Sequence, residues 1–319
     1  MLPRSRRSVL TLLGLALPCV TLGAFLANRA HAEDATVDAA EVAERCAVRL
    51  SIALTGKSPD PRALAAADPQ AAVDTMVASP EFADGFARFV NAELNGGPSA
   101  NASDDPVYWL AKHIVESDKP WVDMFVGSYA ITPTADGMAV AEDPVGLGYF
   151  RSETWRKRYA GNEEKGYMLV AAFRILQNTT GLDLVPSVGN PGDDRSDDGR
   201  KATACVGCHF DAWFALDTSA KLLPKRKGQG DGMTFTKSTE GPQKLLGKTL
   251  TDDRDFVNTL VASDAWRFNQ CRIVFKYVYG RSENQCEATV FDACVDALAE
   301  QKTIRAAVRA VAKDPSFCR

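Results

Sequence analysis

Apolar positions recur at helical spacing along nearly the whole chain. Residues 37–55 place Ala43, Cys46, Ala47, Leu50 and Leu54 on one face and stop at Gly56. Helices are predicted over 69–79 and 81–95, the second carrying Phe82, Phe86, Phe89 and Val90. A further pair is predicted over 106–117 and 119–129. Pro106 and Pro120 stand in their first turns, where a missing N–H costs no hydrogen bond. Residues 163–178 carry Met168, Leu169, Ala172, Phe173 and Leu176. Residues 264–279 begin at a Ser263 or Asp264 cap, present Cys271, Val274, Phe275 and Val278 at i, i+3, i+4, i+7, and stop at Gly280. Residues 286–299 read as the next helix, with another reversal near Gln301. No strand-like alternation persists and no internal repeat is evident, so the expected fold class is all-α.

Two polar, Gly- and Pro-bearing segments interrupt this pattern, 181–202 and 218–250, and both are expected to be irregular. The boundary between two helical regions falls between 145 and 190. The expected organisation is a processed segment 1–32, a helical N-terminal domain 33–150, and a second domain 151–319 that ends in helical hairpins.

Between the irregular segments stands Cys205-Val206-Gly207-Cys208-His209. Cys-x-x-Cys-His is the attachment signature of c-type haem. Two cysteines three residues apart share one face of a helical turn, where their sulfurs can add to the two vinyl groups of one porphyrin. The adjacent histidine then reaches the iron as its proximal ligand. A Cys-x-x-Cys can also be a redox dithiol or half of a zinc site. The first needs a βαβ context and the second two more ligands at similar spacing, and neither is visible here.

The chain also resembles the cytochrome-c-like proteins of unknown function abundant in planctomycetes and myxobacteria. Arg49-Leu50-Ser51-Ile52-Ala53-Leu54-Thr55-Gly56, then Ala78-Ser79-Pro80-Glu81-Phe82 and Asp118-Lys119-Pro120-Trp121, are similar to that family's helical opening. The Cys205–His209 motif with Asp231-Gly232 and Phe235 resembles its haem segment. Tyr277-Val278-Tyr279-Gly280-Arg281 with Asp314-Pro315-Ser316-Phe317 resembles its closing helical module. The likeness implies a helical fold and one haem, and no substrate. The chain departs from the family where Phe210-Asp211-Ala212-Trp213-Phe214 follows the histidine in place of Asp-Pro-x-Gly-Phe.

The first 32 residues read as an export signal. Arg4, Arg6 and Arg7 precede an apolar stretch from Val9 to Leu26, and Ala30-His31-Ala32 supplies a cleavage site. Ser5-Arg6-Arg7-Ser8 resembles a twin-arginine signal, which serves proteins exported folded, whereas covalent haem is added to an unfolded chain; the ordinary secretory route is the expectation. The expected location is the periplasm or another exported compartment. Removing this segment takes four arginines and no acids, so the formal charge moves from −4 to −8. That acidic balance, without a basic run, argues against nucleic acid and anionic membrane surfaces as partners. No later apolar run is long enough to span a bilayer.

Seven cysteines remain, two of them for haem. In an oxidising compartment the others are expected to pair. Cys286 and Cys294 would lie about 12 Å apart along one helix, too far to bridge. A hairpin turning at Ser282–Glu283 sets Cys271 opposite Cys294, and the next reversal brings Cys318 towards Cys286. Cys46 is left as a buried apolar thiol.

The iron's second axial position decides what a haem here does. Met233, the only methionine downstream of the motif, ranks first as distal ligand, then an open position, then His113, which otherwise reads as an ordinary helix residue. Phe210, Trp213 and Phe214 are candidates to pack on the porphyrin or to enter the core. Asp194, Ser196, Asp198 and Gly199 fit the first half of an EF-hand loop, but the position of the bidentate glutamate is Cys205, so a solvated acidic loop is the better reading. No nucleophile elbow, P-loop or dinucleotide fingerprint occurs. The leading expectation is an exported monohaem electron carrier with a redox partner protein. The alternatives are a haem sensor or peroxide-reactive enzyme with an open distal site, and a helical partner-binding protein with a secondary haem.

Overall fold

The structure is a computed structural model that describes residues 38–96, 104–184, 192 and 194–319. The expected export signal lies outside these residues. Helix α1 (Ala39–Thr55) is capped by the Asp38 carboxylate, which accepts from Ala40 N, and closed by Gly56 at φ 67°. Four of the residues on its expected apolar face, Cys46, Ala47, Leu50 and Leu54, are buried. After the short α2 (Pro61–Leu64), the helix expected over 69–79 divides into a 3₁₀ turn, Pro69–Ala72, and α3 (Val73–Ala78). Helix α4 (Pro80–Asn95) starts on Ser79, whose hydroxyl accepts from Phe82 N, and packs along α5 (Pro106–Glu116).

The helix expected over 119–129 is reduced to one turn, α6 (Asp123–Val126). The chain then enters a hairpin of β1 (Tyr129–Thr134) and β2 (Gly137–Glu142). Its signal was present in the sequence: β-branched residues Ile131, Thr132 and Thr134 lead into a two-residue turn, Ala135-Asp136, after which Gly137 opens β2 at φ 138°. Two further two-stranded antiparallel hairpins follow, so the fold is mainly α rather than all-α. They are β3 (Lys225–Lys227) with β4 (Thr234–Thr236), and β5 (Gln243–Leu245) with β6 (Lys248–Leu250). Both lie in the segment 218–250 that was expected to be irregular.

Between the first hairpin and the motif come α7 (Glu153–Arg158) and α8 (Leu169–Thr180), the latter closed by Gly181. The motif itself spans α9 (Thr203–Val206) and a single π-helical turn, Gly207–Asp211, followed by α10 (Leu216–Leu222). The C-terminal module is α11 (Asp253–Val261), α12 (Asp264–Tyr279), α13 (Ala288–Gln301) and α14 (Ile304–Ala312). Helix α12 has the bounds read from the sequence.

Residues 38–319 form one compact unit whose core takes side chains from both sides of residue 150. A buried polar chain runs through it. Trp121 Nε1 donates to Gln270 Oε1 at 2.9 Å, Gln270 and Asn269 donate to the Asn178 carbonyl, and Asn178 donates to Tyr149 Oη at 2.9 Å. Each of these groups would cost about 1–3 kcal/mol if buried unpaired, so the chain specifies how α8 and α12 meet.

Two disulfides close the molecule. Cys271 pairs with Cys294 across the α12–α13 hairpin, Cα–Cα 5.9 Å, as its register predicts. The other expectation is corrected: Cys318 pairs with Cys46, Cα–Cα 4.8 Å, and Cys286 is a free, exposed thiol. The reason is the length of α14. It stops at Ala312, and the chain turns at Asp314-Pro315 into a final 3₁₀ turn, Pro315–Cys318, that packs on α1. Phe317 is buried there with the Arg49 guanidinium 4.6 Å from its ring centre, and Arg49 also donates to the Arg319 carbonyl. Cys46 is therefore buried as expected, but bonded.

Candidate functional site

The motif lies on a surface turn. None of the residues Thr203–Asp211 is fully buried, and Cys205 and Cys208 are both outside the disulfides. Ala202 starts α9, accepting from Cys205 N and Val206 N at 2.9 Å. The wider turn that follows closes with Ala212 N donating to Gly207 O at 2.8 Å. Helical spacing ends there, so Phe210, Trp213 and Phe214 do not share a face. Phe214 enters the core, Trp213 is 52% exposed, and Phe210 is half-buried.

The chain next reverses through Ala215, which has φ 29°, an uncommon conformation for a residue with a Cβ. That reversal brings Asp217, in the first turn of α10, back over the motif. The His209 imidazole and the Asp217 carboxylate meet at Nδ1···Oδ2 2.7 Å. Asp217 is 3% exposed. It is held by Arg200, whose Nε donates to both carboxylate oxygens at 3.1–3.2 Å and whose second terminal nitrogen donates to Oδ1 at 2.8 Å. Burial raises the carboxyl of Asp217, but the hydrogen bonds from His209 and Arg200 outweigh it and leave the group below its ordinary value.

Arg200 is itself buried and bonds further, to Glu163 Oε2 at 2.7 Å, Asp197 Oδ1 at 2.6 Å and the Arg195 carbonyl. Burial would lower its guanidinium; the carboxylate of Asp217, with Glu163 and Asp197 behind it, raises it instead. The Asp-rich segment considered for calcium is thus spent on cations. Asp197 pairs with Arg200 and Lys165, and Asp198 with Lys201. Asp194 accepts from Ser196 N.

Met233 stands at the tip of the β3–β4 hairpin, half-buried, and its N–H donates to Gly230 O within that loop. The hairpin is fastened to the segment that also holds Arg200. Arg226 donates to the Glu163 carbonyl at 2.7 Å and through its backbone N–H to Gly166 O at 2.9 Å. Tyr167 and Lys225 both donate to Glu240. Gly166, φ 76°, permits this approach, because a Cβ there would lie 2.3 Å from the Arg226 carbonyl. Residues 163–167 therefore connect the hairpin carrying Met233 to the cluster carrying His209. His113 is elsewhere, on α5, with its ring 5.6 Å from that of Tyr129 beside the first hairpin. Burial lowers its pKa.

A groove of about 500 Å³ adjoins the motif, lined by Phe210, Trp213 and Ala215 on one side and by Lys244, Leu246 and Lys248 on the other. That volume is within the usual range of small-molecule sites, about 300–1,000 Å³. A cavity of about 590 Å³ lies between β1, α7 and β4 and includes Arg151, Arg156 and Asp253, but no residue of the motif.

The donor set matches what thioether attachment and axial ligation require. Two unbridged thiols three residues apart precede a histidine whose Nδ1 is engaged by Asp217, which leaves Nε2 as the ring nitrogen available to a metal. Asp217 and Arg200 were not anticipated from the sequence. The available signal was Asp217 itself, the one acid in the otherwise apolar and neutral run 212–220, where a buried carboxylate needs a partner. The chain matches no family model, no curated protein and no solved structure.

Proposed function

We propose that this chain is an exported monohaem c-type protein with a redox role. Cys205 and Cys208 hold the haem through thioethers and His209 binds the iron through Nε2. The single observation that carries the reading is the buried Asp217 carboxylate on His209 Nδ1, in a chain whose two neighbouring cysteines are left out of both disulfides. A histidine that ligates a metal characteristically donates its other ring N–H to such a partner. A bound haem c supplies a one-electron iron couple. The chain's own residues do the rest: the thiols anchor, Asp217 sets the imidazole's tautomer and orientation, and Arg200 keeps Asp217 in place. Met233 is the proposed distal ligand, on a hairpin tied to that cluster. A redox partner protein is the proposed source or recipient of the electron. Two disulfides, and the absence among the described residues of any helix long and apolar enough to cross a membrane, agree with export.

Protein expressed with haem-maturation machinery is expected to give a haem-staining band in a denaturing gel, lost in the Cys205→Ser, Cys208→Ser double variant. No stain in the unmutated protein would overturn the reading. A second reading, a haem with an open distal position that binds a small ligand or peroxide, draws on the same carboxylate, because a strongly donating proximal histidine suits such chemistry. The optical spectrum separates the two. A sulfur-to-iron charge-transfer band lost in Met233→Ala supports the carrier, and high-spin iron that readily takes up carbon monoxide supports the second reading.

A further inference from the structure

We infer that Asp217 is a positioning residue that lowers the potential of the iron couple, shifting it towards the oxidised state relative to the same site without the carboxylate. The inference rests on the haem reading above and specifies its redox character. A carboxylate that accepts the Nδ1 hydrogen bond draws the proton away from the ring, leaving more electron density at Nε2. That density stabilises ferric over ferrous iron. Outer hydrogen bonding is one of the protein's levers on haem potential, beside the identity of the axial ligand.

The geometry makes this carboxylate a strong acceptor. The 2.7 Å contact is short for a nitrogen donor, and Asp217 is shielded from water, so the bond is little screened. Arg200 positions the carboxylate without cancelling it. Its own charge is shared with Glu163 and Asp197, and Lys165 meets Asp197 at 2.8 Å. The two cations and three carboxylates of this cluster leave one net negative charge behind the imidazole. Removal of such a partner typically costs a metal site about 10–100-fold in metal affinity or activity.

The test is the midpoint potential of the matured protein, measured by spectroelectrochemistry in the unmutated chain and in Asp217→Asn. The amide keeps the shape and can still accept a hydrogen bond, but without the charge. The ratio of reduced to oxidised iron at fixed potential is expected to rise about tenfold, a positive shift of about 59 mV for a one-electron couple. Asp217→Glu, which retains the charge, is expected to return most of that shift. A haem-staining Asp217→Asn protein with an unchanged or lower potential would overturn the inference and leave the haem reading standing. Failure of the unmutated protein to stain would overturn the haem reading itself. Should Asp217→Asn fail to mature, the unmutated protein carries a second readout, the His209 Nδ1 proton in the NMR spectrum of the reduced form. It is expected to exchange slowly with deuterium, because its acceptor is buried. Immediate exchange would overturn the inference.

Discussion

Arg200 engages three carboxylates and one backbone carbonyl with a single guanidinium, which only a planar fork of five donors can do. Its replacement by alanine leaves Asp217 buried with His209 as its remaining side-chain partner. Removing one member of a buried ion pair costs about 3–5 kcal/mol, so Arg200→Ala is expected to lower the urea midpoint of the haem-free protein by that equivalent. A midpoint unchanged by the substitution would show that the cluster contributes nothing to folding. The residue was hidden in the sequence for a plain reason. It ends the string Asp193-Asp194-Arg195-Ser196-Asp197-Asp198-Gly199-Arg200, whose polarity reads as solvated loop. Only the fold shows that one of its two arginines turns inwards.

Elements built from local periodicity were the most legible. Helices α1, α4, α5 and α12 stand close to where their apolar stripes and caps put them, and the Cys271–Cys294 bridge followed from the register of one hairpin. Beyond the first hairpin, what was missed depends on long-range packing. The β3–β4 hairpin has three-residue strands, too short for an alternation to register, and it is fastened to residues 163–167. Gly166→Ala tests that attachment. The new Cβ would meet the Arg226 carbonyl in a backbone region that disfavours side chains. An expected loss of about 1–3 kcal/mol should appear as a lower thermal midpoint, with earlier proteolysis confined to 225–240. Uniform proteolysis along the chain would show that the hairpin does not open on its own.

At the scale of the whole molecule, the seven cysteines of the described residues fall into three groups. Four form two disulfides, two stand in the motif, and Cys286 is exposed and free. In signal-cleaved, haem-bearing protein, alkylation under denaturing but non-reducing conditions is therefore expected to label one thiol, and in the haem-free form three. Mass spectrometry distinguishes the two outcomes, and labelling of Cys46 or Cys318 would contradict the observed pairing. That pairing could not be read from spacing, because its partners are 272 residues apart and meet only after every intervening helix has packed.

The same cross-link has a mechanical meaning. Because Cys46 and Cys318 lie almost at the two ends of the folded unit, a pull applied to the chain ends passes through the sulfur–sulfur bond and bypasses nearly everything between them. The helices, the hairpins and the turn bearing His209 then form a closed covalent ring that tension cannot draw out. Reduction of that bond would put every residue of the ring except the loop closed by Cys271–Cys294 into the line of force at once.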